Sequence, residues 1–317
     1  MMLPAARTQP LDTTLGWVLI RELLSAARDC AFPPRKIGVS LDHSGRLEYR
    51  EPEASPVWVE FASEPGFGYS PELSRDVQQM LELYLPLCVG RSAHELVLAH
   101  MGQSLDGQIA TATGDSRYIT GRENLEHVHR LRALCDAVMV GADTADLDDP
   151  KLTTRLVPGQ SPVRVVIDPE LRVSRQRALF TDGAPTFVVC RAGAVRDALG
   201  GPGVEFVEVE PGSQRMSAHA IVGALRARGL RRLFIEGGGV TVSRFLHEGA
   251  LDRLHLTVSP VFVGQGRPGV ALPPLAALSD ALRPSTRHYP LGPDVLFDCA
   301  LKRRPWLPSE RRTVSTS

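Results

Sequence analysis

The sequence lacks an excess of either charge and lacks a long apolar run. Its 317 residues contain 36 Lys and Arg against 36 Asp and Glu, so the formal net charge is zero. A broad nucleic-acid or membrane surface usually needs a basic excess. We therefore expect a small-molecule partner, with no nucleic acid and no membrane. The longest early apolar stretch, WVLI at 17–20, is too short for a signal segment or a membrane span.

The five cysteines include no CxxC pair and are far apart: Cys30, Cys88, Cys135, Cys190 and Cys299. Several lie in apolar runs such as TFVVC, a setting typical of buried free thiols. Free thiols persist in reducing compartments, so we expect a cytoplasmic protein.

Metal motifs are missing too, although the acidic segment GADTADLDDPKLTTR at 141–155 suggests one. Asp146 and Asp148 match the first two acids of a calcium loop, but Pro150 and Lys151 fall where an acid and a glycine are required. HExxH, paired CxxC, zinc-deaminase and P-loop signatures do not occur. We expect no metal, and the acids belong either to a solvated turn or to a catalytic site.

Residues 1–95 differ in pattern from the rest of the chain. LGWVLIRELLSAAR predicts a helix, and KIGVSLDHSGRLEYR predicts a hairpin that turns at 42–45. A second helix is expected to open at Ser70 and Pro71, with an apolar stripe of Val77, Met80, Leu81 and Leu85. Without any deaminase motif or recognisable active-site motif, this part is interpreted as an N-terminal extension of unknown role.

From residue 96 to residue 302, apolar strands alternate with helices. The predicted strands are ELVLAHM, AVMVGA, VRVVID, TFVVC, VEFVEV, RRLFIE, LHLTVSPVFVG and VLFDCAL. The predicted helices are ENLEHVHRLRALC, with a stripe of Leu125, Val128, Leu131 and Leu134, then SAHAIVGALRARG and TVSRFLHEG. This alternation predicts an α/β domain whose sheet is covered on both faces. The basic, proline-broken segment 303–317 is expected to be a disordered tail.

Two glycine-containing segments are candidate ligand sites. In RRLFIEGGGVTVSRFL, a strand ends at Glu236, glycines follow and a helix begins, an arrangement that suits a diphosphate or simply makes a tight turn. A carboxylate at the carboxyl end of a strand favours function. The loop 101–124 is either solvated or functional, since long loops are uncommon otherwise. Arg132 and Arg155, each beside such a segment, are solvated charges or a phosphate clamp.

Several ordered motifs together resemble one family. SLDGQIATATGDSRYITG, HRLRALCDAVMVGADT, DDPKLTTR, PVRVVID, FIEGG and ALDRLHLTVSPVFVG occur in the order and at the intervals of the pyrimidine reductase of riboflavin biosynthesis, the C-terminal domain of a bifunctional deaminase/reductase. The resemblance covers residues 96–300. It implies a dihydrofolate-reductase-like fold, a mixed, mainly parallel sheet flanked by helices, and a homodimer. The implied activity is NADPH-dependent reduction of a ribosylamino-pyrimidinone 5′-phosphate to the ribitylamino compound.

The resemblance also implies the site residues, residue by residue. The catalytic pair is Asp148 and Glu236. The implied cofactor contacts are Gly102, Tyr118, Thr144, Asp148, Gly238, Gly239, Val240 and Thr241. The implied substrate and phosphate contacts are His100, Ser116, Thr120, Arg132, Leu152, Arg155 and Glu236. Opening the ribose to a protonated imine calls for carboxyl groups near the reacting carbon, which explains the acidic pair. Of the remaining acids, Asp143 and Asp146 are expected at the surface, and Asp149 is expected to be extended because it precedes Pro150.

Three departures from the family pattern leave the substrate open. His100 stands where lysine is common, and histidine ordinarily titrates near neutrality while lysine stays charged. The glycine turn is EGGGVT instead of EGGPTL, and Pro169 replaces a frequent serine. An alternative is therefore a related reductase for a different pyrimidine, pterin-like or imine substrate. A relative that binds nucleotide without turnover is a third hypothesis.

Overall fold

The chain folds as two units that divide between Glu95 and Leu96. The computed structural model describes residues 11–28, 37–42, 44–50, 59–61, 67–70, 72–89, 91–117, 119–194, 202–210 and 216–301. Cys30, Tyr118 and the expected tail 303–317 lie outside the described residues. Of the other cysteines, Cys88, Cys135 and Cys190 are buried free thiols, as expected, and Cys299 is a partly buried one.

The N-terminal unit combines a four-stranded antiparallel sheet, in the order β2-β1-β3-β4, with three helices. Its elements are α1 (Thr13–Arg28), β1 (Ile37–Leu41), β2 (Leu47–Arg50), β3 (Val59–Phe61), β4 (Phe67–Tyr69), α2 (Arg75–Cys88) and α3 (Arg91–His94). The predicted hairpin is confirmed: β1 pairs with β2, and Asp42 Oδ1 accepts bonds from the amides of Ser44 and Arg46 at 2.8 and 3.0 Å.

The start predicted for α2 was wrong. The helix begins at Arg75, and the Oγ of Ser74 accepts a bond from the Val77 amide as its cap. The carbonyl of Ser70 accepts from the Leu73 amide, so the chain first makes a separate turn. The predicted apolar stripe of this helix is buried.

The C-terminal unit is built on a nine-stranded sheet in the order β10-β9-β8-β7-β11-β5-β12-β15-β14, with a small pair of β13 and β6 beside it. Strands β10 to β12 in this order are parallel, and β15 and β14 are added antiparallel. The strands are β5 (Leu96–Ser104), β6 (Gln108–Thr111), β7 (Ala137–Gly141), β8 (Val163–Ile167), β9 (Thr186–Arg191), β10 (Val204–Val209), β11 (Arg232–Glu236), β12 (Arg253–Ser259), β13 (Gly266–Pro268), β14 (Ser285–Leu291) and β15 (Asp294–Ala300). The expected mixed, mainly parallel sheet is confirmed.

Helices flank this sheet: α4 (Arg122–Leu134), α5 (Ala142–Asp148), α6 (Ala178–Thr181), α7 (Ala218–Arg226), α8 (Gly239–His247) and a 3₁₀ turn at Leu278–Asp280. Alternate residues of β5 point to opposite faces, and Val97, Ala99 and Met101 join an apolar core together with side chains of α7 and α8. The other face, which carries His100, lies toward α4. In the described part of the chain, every helix is too short or too polar to cross a bilayer.

The buried face of α4 differs from the predicted stripe. Val128, Leu131 and Leu134 are buried, but Leu125 is 46% exposed and its neighbour Asn124 is buried instead. The helix is turned so that polar side chains, not only leucines, meet the sheet. Apolar spacing cannot reveal such a face, because the bonding partners come from distant strands.

Other strand boundaries also differ from those predicted from the sequence. The strand predicted to run to Gly264 ends at Ser259, just before Pro260, which has no amide to donate. Strand β14 was missed, since its exposed, polar pattern is that of an edge strand. Part of the loop 101–124 is strand, because β5 continues to Ser104 and β6 pairs with β13.

Arg164 stabilises the flank of the sheet through several hydrogen bonds. Its side chain is 2% exposed and bonds Thr186 Oγ1, both carboxylate oxygens of Asp182, and the carbonyls of Leu179 and Ala184. Arg164→Met should lower the free energy of unfolding by about 2 to 4 kcal/mol, because it removes the guanidinium partner of Asp182 and the buried bonds to the other acceptors.

Chemical denaturation of the full chain measures this change. Arg122→Met is the matched control, because Arg122 forms an exposed ion pair with Glu126. The control should cost less than about 1 kcal/mol. Equal effects of the two variants would contradict the structural role of Arg164.

Candidate active site

The candidate site lies where three neighbouring parallel strands reach the same edge of the sheet. Strand β7 ends at Gly141 and β11 at Glu236, while β5 passes through His100 and Gly102 beside them. The carboxyl ends of parallel strands are where open α/β sheets bind ligands. Nine of the fifteen predicted site residues are on these strands or in the turns and helices that follow β7 and β11.

Glycines and threonines of two helix starts pack against each other at this edge. Gly238 precedes α8 without a side-chain cap, at a φ of 72°, and a Cβ there would lie 2.9 Å from Thr144 Oγ1. A Cβ at Gly141 would lie 2.6 Å from Thr241 Oγ1. We call Gly141, Thr144, Gly238 and Thr241 the glycine–threonine cradle. It brings together three of the predicted cofactor contacts.

Two further predicted cofactor residues begin α8. A Cβ at Gly239 would lie 2.5 Å from the carbonyl oxygen of Gly269, so only glycine fits there, and Val240 is exposed. At Gly102 a Cβ would lie 2.7 Å from the methyl group of Thr120, which the structure thus brings against β5. The cofactor contact predicted for Tyr118 lies outside the described residues.

Glu236 and Arg132 form a bidentate ion pair. Arg132 donates from Nε to Oε2 at 2.7 Å and from Nη2 to Oε1, and its Nη1 donates to the carbonyl of Thr153 at 2.7 Å. The side chain of Arg132 is buried, and that of Glu236 is 19% exposed. The sequence predicts contact of both residues with substrate. The structure adds that Arg132 fixes the direction of the Glu236 carboxylate, while its contact with a phosphate stays a prediction.

The segment from Leu152 to Arg155 is held by a residue that the sequence analysis missed. His129 Nδ1 accepts bonds from the amides of Arg155 at 2.9 Å and Leu156 at 3.3 Å. Burial, with the nearby charges of Arg132 and Arg155, lowers the pKa of His129 to about 4, so the ring is a neutral acceptor. Its position three residues before Arg132 on a helix was the available signal. Leu152 is buried, and the Arg155 side chain is exposed.

Asp148 lies at a cavity of about 380 Å³ lined by Gly114, Asp115, Ser116, Arg117, Leu147 and Asp148. The structure thereby brings the predicted substrate residue Ser116 to the predicted catalytic acid. Asp148 is exposed at the cavity rim, but partial burial still raises the pKa of its carboxyl group. The positive charges of Arg267 and Arg117 oppose this rise. The carboxyl group therefore holds a proton more readily than an ordinary surface aspartate.

The other acids of segment 141–155 have structural contacts. Asp143 pairs with Arg172 at 2.5 Å and Asp146 with Arg177 at 2.9 Å, on the surface of helix α5. The prediction for Asp149 was wrong: it is left-handed, at φ 43° and ψ 55°, not extended. It ends α5, and its carboxylate accepts from the Ala178 amide at 2.8 Å, which holds this conformation.

His100 does not titrate near neutrality, contrary to the ordinary behaviour of histidine. It is 4% exposed, and its Nε2 is 2.9 Å from Asn124 Oδ1 and 3.2 Å from Thr257 Oγ1. Burial, then the charge of His255, lowers the pKa of His100 to about 4. The site therefore presents a neutral ring where lysine would present a cation.

A family model described as the RibD C-terminal domain matches residues 95–297. The chain belongs to this family. It is 35% identical over 213 residues to the 2,5-diamino-6-ribosylamino-4(3H)-pyrimidinone 5′-phosphate reductase of Methanothermobacter thermautotrophicus, which covers 65% of this chain and 98% of the relative. It is 36% identical to the riboflavin biosynthesis protein RibD of Aquifex aeolicus, over 52% of this chain and 46% of the relative.

Solved structures agree with this assignment. A Thermotoga maritima diaminohydroxyphosphoribosylaminopyrimidine deaminase/5-amino-6-(5-phosphoribosylamino)uracil reductase is 26% identical, with a TM-score of 0.55, over 71% of this chain and 61% of that chain. The chain thus spans about half the length of the Aquifex relative and nearly all of the archaeal reductase.

The buried histidines should make the free energy of unfolding depend on pH. The pKa values of His100, His127 and His129 are all lowered in the folded chain, so the unfolded chain binds these protons more tightly. Above the ordinary histidine pKa of about 6.5 the rings are neutral in both states, so the lowered pKa values do not change the free energy of unfolding. Below that pH the free energy of unfolding should fall toward pH 5. Each unit of lowered pKa corresponds to about 1.4 kcal/mol when fully developed.

Denaturant unfolding between pH 7.5 and 5 measures this loss. His129→Gln, which keeps an acceptor, should make the dependence shallower. His94→Gln should not, because His94 is exposed. A free energy of unfolding that stays constant over this interval would contradict the neutral state of the three rings.

Proposed function

We propose that this chain is an NADPH-dependent oxidoreductase that converts a ribosylamino-pyrimidinone 5′-phosphate to its ribitylamino form. The observation that carries the proposal is the glycine–threonine cradle at the carboxyl edge of a RibD-type sheet, with Asp148 at the end of α5 and Glu236 at the end of β11. The near-complete coverage of the archaeal reductase supports the same activity.

The residues of the cradle fit a dinucleotide. The first amides of α8 follow Gly238 and have no side-chain cap, and unpaired amides at a helix start favour a diphosphate. The contacts that a Cβ would make at Gly141 and Gly238 show that larger residues would fill this space. In this proposal the cradle, Gly239 and Val240 hold NADPH, which supplies the hydride.

Asp148 would donate and take up the proton that the reaction requires. Opening the ribose ring gives an imine at its first carbon, and a protonated imine accepts hydride better than a neutral one. A carboxyl group with a raised pKa holds the required proton more readily than an ordinary aspartate and, once ionised, stabilises the positive charge. The positive charges of Arg267 and Arg117 lower this pKa and so favour release of the proton.

Glu236 would orient the substrate. Its carboxylate cannot rotate freely, because Arg132 binds both oxygens. A carboxylate with a fixed direction can accept bonds from the polar groups of a pyrimidine or of the opened sugar. Leu152 and Arg155 follow on the segment that His129 holds, and the exposed guanidinium of Arg155 suits the 5′-phosphate.

The homodimer and the cytoplasmic location expected from the sequence stay predictions. Light scattering of the purified chain measures its mass in solution and tests the first.

NADPH oxidation tests the proposed activity directly. Two compounds should be supplied: the diamino-pyrimidinone in the name of the archaeal relative, and the amino-uracil in the name of the Thermotoga protein. Loss of NADPH together with a product heavier by two hydrogens supports the proposal and identifies the substrate. Binding of NADPH without turnover of either compound would contradict it and favour the alternative substrates.

Asp148→Asn should lower kcat by two or more orders of magnitude, because the amide cannot donate or take up the proton. The dissociation constant for NADPH should stay within a few-fold. Asp143→Asn is the matched control, since Asp143 pairs with Arg172 on the surface of the same helix. Near-normal turnover of Asp148→Asn would disprove its catalytic role.

Gly238→Ala should weaken NADPH binding at least tenfold, because the new methyl group would collide with Thr144 in the cradle. Gly183→Ala controls for backbone strain: Gly183 also has a positive φ, of 74°, but a Cβ there would meet nothing within 4 Å. Fluorescence titration with NADPH measures both variants. Equal loss in both would assign the effect to the backbone and not to the cradle.

A further inference from the structure

Four ionisable residues form a row across the sheet. Strand register places Glu236 opposite His100, His100 opposite His255, and His255 opposite Asp298. Directly opposed residues of neighbouring strands project from the same face. We call Glu236, His100, His255 and Asp298 the transverse row. It crosses β11, β5, β12 and β15 on the face toward α4, and neither the proposed reaction nor the apolar core uses its far half.

Both ends of the transverse row are charge-paired. Arg132 binds Glu236 at one end, and at the other Arg253 donates to the two oxygens of Asp298 at 2.6 and 2.8 Å. Burial by itself raises the pKa of Asp298, but the bonds from His255 and Arg253 outweigh it and leave the pKa low. The carboxylate of Asp298 is therefore ionised, and the imidazoles lie between two fixed ion pairs.

His127 of α4 extends this arrangement. His255 Nε2 is 3.3 Å from Asp298 Oδ1, and its Nδ1 is 3.0 Å from His127 Nε2. Nε2 of His255 thus faces the carboxylate, while Nδ1 shares a hydrogen bond with the ring of His127. The two rings are stacked, with centroids 5.1 Å apart, and the ring of His127 meets that of His100 at 5.5 Å. His100 is thus backed by rings whose orientation depends on Asp298.

Asn124 determines which nitrogen of His100 carries the proton. It is the only asparagine of the sequence. Its Oδ1 accepts from Thr257 Oγ1 at 2.7 Å and faces His100 Nε2 at 2.9 Å, while its Nδ2 donates to Thr120 Oγ1 at 2.9 Å. A carbonyl oxygen cannot donate, so the hydrogen lies on His100 Nε2 and Nδ1 has a free lone pair.

The Nδ1 of His100 has no hydrogen-bond partner among the described residues, so its lone pair is left for a ligand. Nε2 is turned toward Thr257 on β12, and the strand on the other side of His100 carries Glu236. The charged or titratable groups around the ring are His127, His255, Glu236 and Arg132. Burial and the charge of His255 keep the pKa low, although the Asn124 bond and the charge of Glu236 raise it.

We propose that Asn124 and Thr257, backed by His127, His255 and Asp298, position His100 as an uncharged hydrogen-bond acceptor for an N–H or O–H group of the substrate. This rests on the proposed function. A lysine at this position can only donate, so it selects an acceptor or an anion. The chain therefore selects a donor at the same place, with Asn124 and Thr257 as positioning residues.

Nuclear magnetic resonance of the full chain with ¹⁵N-labelled histidine rings tests the state of His100. The His100 signals are those lost in His100→Gln. They should report a neutral ring with its hydrogen on Nε2 from pH 5.5 to 8. Asn124→Asp replaces the amide by a carboxylate of the same shape and should bring protonation of His100 into this interval. Gln176→Glu, which adds a carboxylate on the exposed surface, should not.

Adding the pyrimidine phosphate tests the contact. The Nδ1 resonance of His100 should shift as it accepts a bond, and His100→Lys should raise KM at least tenfold more than His100→Gln, with smaller changes in kcat. Asn124→Asp should make KM depend on pH between 5.5 and 8, an effect that a merely structural residue would not produce.

Three outcomes would overturn the inference: a charged His100, a hydrogen on Nδ1, or a lysine variant with a KM equal to or lower than that of the natural chain. Turnover without a shift of Nδ1 would also overturn it while leaving the proposed function intact. Failure of the chain to bind or reduce either pyrimidine phosphate removes the proposed function, and the acceptor role with it, but not the tautomer that the spectra report.

Discussion

The ion pair of Arg132 with Glu236 joins helix α4 to a central strand at the carboxyl edge of the sheet. A buried pair costs desolvation free energy, so its value lies in geometry more than in stability. Here it fixes the direction of one carboxylate and the rotation of α4 about its axis. The same rotation brings Asn124 to His100, and His129 to the backbone of Arg155.

Burial shifts the pKa values of the acids and the bases of this site in opposite directions. It favours the uncharged form of either, so it raises the pKa of Asp148 and lowers those of His100 and His129. The result is a carboxyl group that can carry a proton at the cavity rim and neutral rings behind Glu236. Two of the buried charged groups, Arg132 and Asp298, each have a bidentate partner.

Much of the fold was predictable because strands buried on both faces form continuous apolar runs, as VMV at 138–140 and VVI at 165–167 illustrate. The rotation of α4 was not, because Leu125 fits the apolar spacing as well as its buried neighbours do. The end of α5 was not predictable either, because Asp149 takes a left-handed conformation that depends on the distant Ala178 amide. Strand β14 lacks an apolar pattern because it lies at the edge of the sheet.

By itself the sequence determined the α/β class, the family and the segments that form the site, since these follow from local apolar pattern and from ordered motifs. It also placed Glu236 at the end of its strand. Only the tertiary structure decided that Arg132 binds Glu236 and that His100 is neutral. Burial and the charge of His255 keep the ring neutral, and its bonding partners, Asn124 and Thr257, are 24 and 157 residues from His100 along the chain. A charge state set by burial and by such distant bonds cannot be read from neighbouring residues.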